Sequence, residues 1–309
     1  MQSINRVFQM VSDIIENHKI IARLCALVFL VFALVLCWTA GKNHEGRKPY
    51  AEIPESNEEF ETNFPYLALT ELDKQSELSD VETINLSEYN GICEITKGGN
   101  FRLTGEINGT VCISAKEQNV HLFLDNATIK SAVGPALYCK EADKLVITLP
   151  KNTENIVSDS GKYQADEEIE GCIYSTCDMT LNGNGKLTVN GLYKDAIRSK
   201  DLVKILDGEY EIKCKRTGIH GNDGIYICGG DFTILSEKNG LKTTKTGAEG
   251  RGDLVIGGGE FTIIAGQYAF VTVQADLCVY DCRISDSCIV DVYKVAGLVN
   301  IQKGCLEND

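Results

Sequence analysis

The sequence lacks an excess of basic residues. Its 309 residues include 30 Lys and Arg against 44 Asp and Glu, which gives a net charge of −14. A nucleic-acid-binding protein needs a basic face that neutralises phosphates, and its affinity depends on that face. We therefore expect no nucleic-acid partner.

Metal-binding cysteine motifs are also absent, although the chain has 13 cysteines. Neither Cys172 and Cys177 nor the group at Cys278, Cys282 and Cys288 has the two-residue gap that is typical of structural zinc sites. We expect mostly free, buried thiols, because several cysteines occupy inward strand positions, where a thiol acts as a small hydrophobe. A disulfide between exposed cysteines remains open.

Helical periodicity is missing from most of the chain, which excludes ankyrin and tetratricopeptide repeats. Short alternating runs such as Val203-Lys204-Ile205 are separated by glycines, a pattern of strands and turns. These runs repeat at steps of 22 or 23 residues, except for about seven extra residues within 243–252, which fit a protruding loop. The repeated apolar residues form four series: Ile197, Ile219 and Leu241; Val203, Ile225, Leu254 and Leu277; Ile205, Ile227, Ile256 and Val279; and Tyr210, Phe232, Phe261 and Ile284.

Three short strands with their turns consume about 22 residues, and stacked turns place equivalent residues about 4.8 Å apart. The sequence therefore predicts an all-β fold, a single-stranded parallel β-helix over residues 90–309. This region is long enough to bury one continuous core, and a second globular domain has little room.

Only one long hydrophobic run is present. Residues 24–40 carry no charge, and we predict a transmembrane anchor over residues 20–40 after a short N-terminal segment, 1–19. A cleaved signal peptide is disfavoured, because Trp38 stands where a small residue should precede the cut. Charges flanking the span do not decide its orientation, but the plan of a signal anchor predicts a single-pass membrane protein with residues 41–309 outside the cell. Residues 41–89, rich in acid and proline, predict a solvated stalk.

An ordered series of motifs resembles a known family. The series runs from Gly134-Pro135-Ala136-Leu137-Tyr138 through Asp195-Ala196-Ile197-Arg198-Ser199-Lys200-Asp201 to Asn222-Asp223-Gly224-Ile225. Over about residues 90–290 it looks like the bacterial carbohydrate-binding β-helix family that is related in fold to the family-nine pectate lyases. The resemblance implies a right-handed parallel β-helix at the cell surface that binds plant-type polysaccharides, with calcium held by acids of neighbouring coils.

The resemblance also suggests calcium ligands. One acidic position of the family is Asp195 here, but it becomes Thr217 and Asn239 on the next two coils. A Lys-Asp position of the family survives as Lys200-Asp201 and as Asn222-Asp223. Calcium prefers six to eight oxygens, several of them charged, so we expect at most a weak site at Asp195, Asp201 and Asp223. The alternative is that these acids cap turns.

A ligand-binding face follows from the alignment of the coils. Strand side chains alternate, so the residues next to the inward series point outward. These residues are Tyr138, Tyr174, Arg198, His220 and Lys242. The aromatic rings can pack on sugars, and an acidic polymer can relieve the mutual repulsion of the cations. The alternative is that they cover a solvated sheet face.

No catalytic motif supports an enzyme. The sequence has no nucleophile elbow and no phosphate loop, and no paired carboxylates stand out for glycoside hydrolysis. A calcium-dependent uronate lyase is the enzymatic alternative, with Lys200, Lys242 and Lys245 as candidate bases. A cell-surface scaffold without a ligand is the second alternative. We predict a membrane-anchored, non-catalytic polysaccharide-binding protein; the sequence leaves its sugar and oligomeric state open.

Overall fold

The computed structural model describes residues 63–163, 168–246 and 251–307. Within these ranges the secondary structure is almost entirely strand, with the short 3₁₀ helices Pro65–Leu67 and Leu86–Glu88 and the short α-helix α1 (Glu71–Lys74). In the described ranges no helix is long and apolar enough to cross a membrane. The predicted anchor at 20–40 lies outside the described residues.

The strands in the first half of the fold are β1 (Glu82–Asn85), β2 (Ile92–Ile95), β3 (Gly99–Ile107), β4 (Thr110–Ser114), β5 (Asn119–Lys130), β6 (Leu137–Glu141), β7 (Lys144–Leu149), β8 (Glu154–Ser158), β9 (Gly171–Ser175), β10 (Asp178–Gly183), β11 (Lys186–Gly191) and β12 (Asp195–Ser199). Those in the second half are β13 (Leu202–Ile205), β14 (Glu209–Cys214), β15 (Thr217–Gly221), β16 (Gly224–Ile227), β17 (Asp231–Ser236), β18 (Asn239–Thr243), β19 (Leu254–Ile256), β20 (Gly259–Ala265), β21 (Tyr268–Thr272), β22 (Leu277–Val279), β23 (Cys282–Cys288), β24 (Asp291–Val295) and β25 (Val299–Ile301).

The strands form three faces of a parallel solenoid. The first face is the nine-stranded sheet β2-β4-β6-β9-β12-β15-β18-β21-β24. The second face contains β7, β10, β13, β16, β19, β22 and β25, and the third contains β8, β11, β14, β17, β20 and β23. The long strand β5 joins these two faces, because its first part pairs with β7 and its last part with β8. The structure confirms the all-β, parallel prediction.

The predicted repeat is visible in the register. Ile197 pairs with Ile219, and Ile219 with Leu241, in the first face. All of these side chains are fully buried, and they belong to one core cluster that runs through the coils from Leu86 to Leu306. Stacking equivalent apolar residues on successive coils therefore builds the core.

Aromatic stacking strengthens the third face from inside. The rings of Tyr210 and Phe232 lie 4.8 Å apart, and those of Phe232 and Phe261 lie 4.5 Å apart. Aromatic pairs of this kind contribute roughly 0.5–1.5 kcal/mol beyond the burial of their area. Each of these strands follows or begins with a glycine at positive φ, such as Gly208 at 124° and Gly230 at 108°. A residue with a side chain would be strained in this backbone conformation.

The N-terminal boundary of the solenoid differs from the prediction. Residues 64–75, placed in the predicted 41–89 stalk, pack on the second face, where Phe64 and Leu67 bury against Leu202 and Val255. Strand β1 pairs with β3, and Leu86 is fully buried in the core. The described part of the stalk is therefore a packed segment, here called the strap (residues 64–75), followed by the first strand. The acidic, proline-containing composition did not reveal the strap, because the few apolar residues of this segment are concentrated at its contact with the second face.

Candidate functional site

The first face carries the five predicted ligand-binding residues in one row. Tyr138 pairs with Tyr174 and Tyr174 with Arg198. Arg198 pairs with His220, and His220 with Lys242. Equivalent positions on parallel coils lie about 4.8 Å apart, so the row runs along the solenoid axis.

Burial divides this row into accessible and inaccessible residues. Tyr174 is 1% exposed and His220 is 3% exposed, so neither can contact a polymer in this conformation. The structure therefore does not support a direct sugar contact by either residue. Tyr138 and Lys242 are half-buried, and the Arg198 side chain is 17% exposed. Only these three members offer atoms to a ligand.

A buried carboxylate organises the centre of the row. Asp195 is fully buried, and its two oxygens accept hydrogen bonds from Nε and Nη2 of Arg216, each at 2.7 Å. Nδ1 of His220 lies 2.9 Å from Asp195 Oδ2, and Nη1 of Arg198 lies 3.2 Å from the same oxygen. Burial would raise the pKa of Asp195, but hydrogen bonds from Arg216 and His220 outweigh it and hold the pKa well below its ordinary value.

A second carboxylate closes the cluster from outside. Glu170 accepts hydrogen bonds from Arg198, from Lys194 at 3.1 Å and from both terminal nitrogens of Arg216, at 3.0 and 2.8 Å. Burial would raise the pKa of Glu170, but these cations lower it to about 2. The charged cluster is therefore Lys194, Arg198, Arg216 and Lys242 with Glu170 and Asp195.

The charged cluster is cationic on an acidic protein. Its four cations exceed its two carboxylates by two charges. His220 is not counted among the cations, because burial lowers its pKa and leaves the ring neutral near pH 7. Burial also lowers the pKa of Lys242, although the carboxylates of Asp195 and the Glu170 side chain oppose that shift. Lys242 makes no ion pair among the described residues. Lys242 is therefore a half-buried cation on the first face that an approaching anion can contact.

Three residues of the charged cluster, Lys194, Arg216 and Glu170, were not predicted from the sequence, although a signal was available for the first two. Lys194 and Arg216 lie 22 residues apart, and Lys238 follows after another 22. The backbone N–H of Arg216 donates to the Lys194 carbonyl at 2.9 Å, and that of Lys238 donates to the Arg216 carbonyl at 3.2 Å. A basic row of the solenoid period therefore precedes the first-face strands. No comparable signal marks Glu170, which directly precedes β9.

The predicted calcium ligands do not form one site. Asp195 is committed to Arg216 and His220, as described above. Asp223 accepts hydrogen bonds from Lys245 at 2.9 and 3.1 Å and from Arg251 at 2.8 Å. Burial and the nearby Asp178 and Asp223 carboxylates raise the pKa of Asp201. Within the described ranges, no three His, Cys, Asp or Glu side chains are grouped to hold a metal. Because Asp195 and Asp223 are paired with cationic side chains, they do not fit a calcium site.

The third face presents the opposite charge. A shallow groove of about 400 Å³ there is lined by residues that include Glu209, Asp231 and Glu260, which pair in register on successive coils. Lys186 pairs with Glu209 and Arg283 pairs with Glu260, at the two ends of this acidic row. Adjacent carboxylates repel an anionic polymer, so this groove is unsuited to one.

The cysteines also agree with the expectation of free thiols. All eleven within the described residues are unpaired by disulfide, and Cys139 and Cys214 are buried at inward positions. The sulfur atoms of Cys139 and Cys177 lie 3.8 Å apart, too far for a bond.

A parallel β-solenoid with a charged, partly exposed first face defines a class of proteins that present a long binding surface along stacked coils. The chain belongs to the family described as carbohydrate-binding domain-containing protein, whose model matches residues 90–298. The predicted family resemblance is thus confirmed.

Two relatives support this assignment. A carbohydrate-binding domain-containing protein of Acetivibrio thermocellus is 30% identical over 146 residues, which are 43% of this chain. The match spans about half of that relative, 51% of its length. A gadolinium derivative of a polysaccharide lyase-like protein from C. thermocellum is 27% identical with a TM-score of 0.70. That similarity covers 73% of this chain and 98% of the solved chain.

Proposed function

We propose that this protein is a non-catalytic receptor for anionic, uronate-containing polysaccharides, which it binds along the first face. The observation that carries the proposal is the charged cluster, whose cations outnumber its carboxylates on a chain of net charge −14. Family membership supports carbohydrate as the ligand class, and the excess cations favour an acidic sugar over a neutral one.

The contacts divide between recognition of charge and recognition of the ring. Arg198 and Arg216 present planar guanidinium groups that match a carboxylate bidentately. Lys242 adds a point charge on the next coil, and Tyr138 supplies an aromatic surface at the other end of the row. Successive coils are about 4.8 Å apart. This spacing is close to the length of one sugar unit, so each coil can contact one sugar of the chain.

The test is retention of the full chain in gels that contain polygalacturonate. Replacing Arg198 and Lys242 together by Ala should weaken retention, most of all at low ionic strength, because the lost contacts are electrostatic. The matched control replaces Lys213 and Lys303, two lysines outside the first face, by Ala. Its retention in the polygalacturonate gel should equal that of wild type. Equal losses in both double variants would show an effect of net charge alone and would contradict the proposed site.

The location of the protein is part of the proposal. The uncharged run at 24–40 supports a single-pass membrane anchor, with the solenoid outside the cell. Protease treatment of intact cells should then degrade the solenoid along with a known surface protein. A solenoid that survives while the surface control is degraded would place it on the other side of the membrane.

A lyase is the second candidate function. Burial lowers the pKa of Lys242, which would favour its action as a base, and the nearby arginines could bind the uronate carboxylate. The name of the solved relative, polysaccharide lyase-like, agrees with this reading. Release of unsaturated uronates from polygalacturonate by wild type, and none by the Lys242→Ala variant, would establish the lyase in place of the receptor.

A further inference from the structure

Glu170 has an unusual number of cationic partners for one surface carboxylate. Three side chains from two successive coils converge on it: Lys194 and Arg198 from one coil and Arg216 from the next. The Glu170 side chain is 23% exposed, so the carboxylate lies at the surface of the charged cluster and within reach of solvent.

Arg216 is held in place from beneath. One edge of its guanidinium, Nε and Nη2, donates to the fully buried Asp195, and its two terminal nitrogens donate to Glu170. The inner carboxylate therefore orients the guanidinium, and the outer carboxylate occupies the edge that faces solvent. This arrangement is a preformed site for a second, outer carboxylate.

The Glu170 side chain can leave this site without any change in the fold. Its backbone is fixed to the first-face ladder, because the N–H of Asp195 donates to the Glu170 carbonyl at 3.0 Å. Rotation about side-chain bonds is sufficient to move the carboxylate into water, where its charge is well solvated.

We propose that Glu170 is an intramolecular substitute for a uronate carboxylate and that an acidic polysaccharide binds by displacing it from Arg198 and Arg216. The inference rests on the proposed function, and it adds a specificity residue to it. The apparent affinity is then the intrinsic affinity reduced by the fraction of molecules in which the two arginines are free. A neutral sugar gains nothing from the displacement, so Glu170 selects for polymers that bring their own carboxylate.

The test compares Glu170→Gln with wild type and with Glu237→Gln. Glu237 is an exposed carboxylate at the same corner of the solenoid, and its ion-pair partner is Lys215, outside the charged cluster. Affinity for polygalacturonate, measured by gel retardation, should rise about tenfold in Glu170→Gln, because the competing charge is removed. It should change less than twofold in Glu237→Gln, whose net charge is identical. Retention by hydroxyethylcellulose should stay the same in all three proteins.

Other outcomes separate the two proposals. If wild type binds polygalacturonate and Glu170→Gln binds equally or more weakly, displacement is wrong while the receptor function stands. If neither protein binds it, the receptor function itself fails. Should Glu170→Gln unfold, Glu170→Ala provides a second variant.

The pH dependence of the wild-type affinity is a further test. The pKa of Glu170 is about 2, so the wild-type affinity should not rise between pH 7 and pH 5 through protonation of Glu170. If the wild-type affinity rises over this pH range and the rise is absent in Glu170→Ala, Glu170 does not stay charged in its contact with the arginines, which would contradict the proposal.

Discussion

Asp195 and Arg216 form a two-point ion pair in which each carboxylate oxygen accepts a hydrogen bond at 2.7 Å. The carboxylate is fully buried, whereas the guanidinium is 26% exposed. A buried charge of this kind is tolerated only when its partner and its hydrogen bonds are retained. The pair therefore fixes the direction of Arg216 and joins β12 to the start of β15.

Replacing Asp195 by Ala should destabilise the protein by roughly 3 kcal/mol, because Arg216 and His220 would lose a buried partner. The free energy of unfolding from urea titration measures the loss. Glu237→Ala, which removes an exposed ion pair, should cost less than about 1 kcal/mol. A cost for Asp195→Ala no larger than that of Glu237→Ala would contradict the structural role of this pair.

The sequence predicted the register of the first face but not its electrostatics. Register follows from one apolar residue at a fixed place in every coil, such as Ile197 and Ile219, which a period of 22 residues makes visible. Partner choice depends on side chains that are distant in sequence, since Glu170 and Arg216 are 46 residues apart. The family resemblance predicts calcium at Asp195, because the sequence alone does not show that its oxygens are paired with Arg216 and His220.

Calcium should leave the melting temperature of the protein unchanged. A ligand that binds only the folded state stabilises it by mass action, but Asp195 and Asp223 are already paired with cationic side chains. Melting curves with millimolar calcium and with chelator should therefore superimpose. A calcium-dependent rise that chelator reverses would show that the acids bind the ion after all, as the family resemblance implied.

The strap depends on a buried carboxylate. Asp73 is fully buried and ion-paired with Lys144 and Lys204, and Thr180 donates to the same carboxylate. Asp73→Ala should destabilise the protein by about 3–5 kcal/mol, because the nearly buried Lys204 would lose its ionic partner. Urea titration checks this, and Glu71→Ala is the control, since Glu71 is exposed on the same helix. Equal effects of the two substitutions would mean that the strap does not contribute to stability.

Acid should also weaken the strap. Burial would raise the pKa of Asp73, but hydrogen bonds from Lys144 and Thr180 lower it to about 2 from an ordinary value of 3.8. Stability from this group is therefore complete above pH 4 and is lost as the pH falls towards 2. The difference in unfolding free energy between wild type and Asp73→Ala should shrink over that interval.

Asp159 should have the opposite pH dependence. Burial raises its pKa to about 6 from 3.8, although Tyr163 and the Leu192 N–H donate hydrogen bonds to it. Its ionisation costs the folded state stability, so its contribution is greatest below pH 4 and is lost as the pH rises through 6. Asp159→Asn should therefore gain roughly 3 kcal/mol relative to wild type between pH 4 and pH 7, measured by urea titration. A constant difference across that range would contradict the raised pKa.

The two tyrosines of the first-face row should behave differently. Their ring centroids lie 5.8 Å apart at an angle of 54°, and Tyr174 is 1% exposed whereas Tyr138 is half-buried. A sugar ring can therefore pack only on Tyr138, a contact that does not depend on ionic strength. Tyr138→Ala should weaken retention by polygalacturonate by a similar factor at low and high salt.

The matched variant is Tyr174→Phe, which keeps the buried ring that supports Tyr138 and removes only its hydroxyl. Its retention should equal that of wild type, whereas Arg198→Ala should lose retention mainly at low salt. Gels at two ionic strengths separate these cases, provided that melting curves show each variant to be folded. If Tyr138→Ala is retained like wild type at both ionic strengths, the sugar does not contact this end of the row, and recognition is confined to the charged cluster.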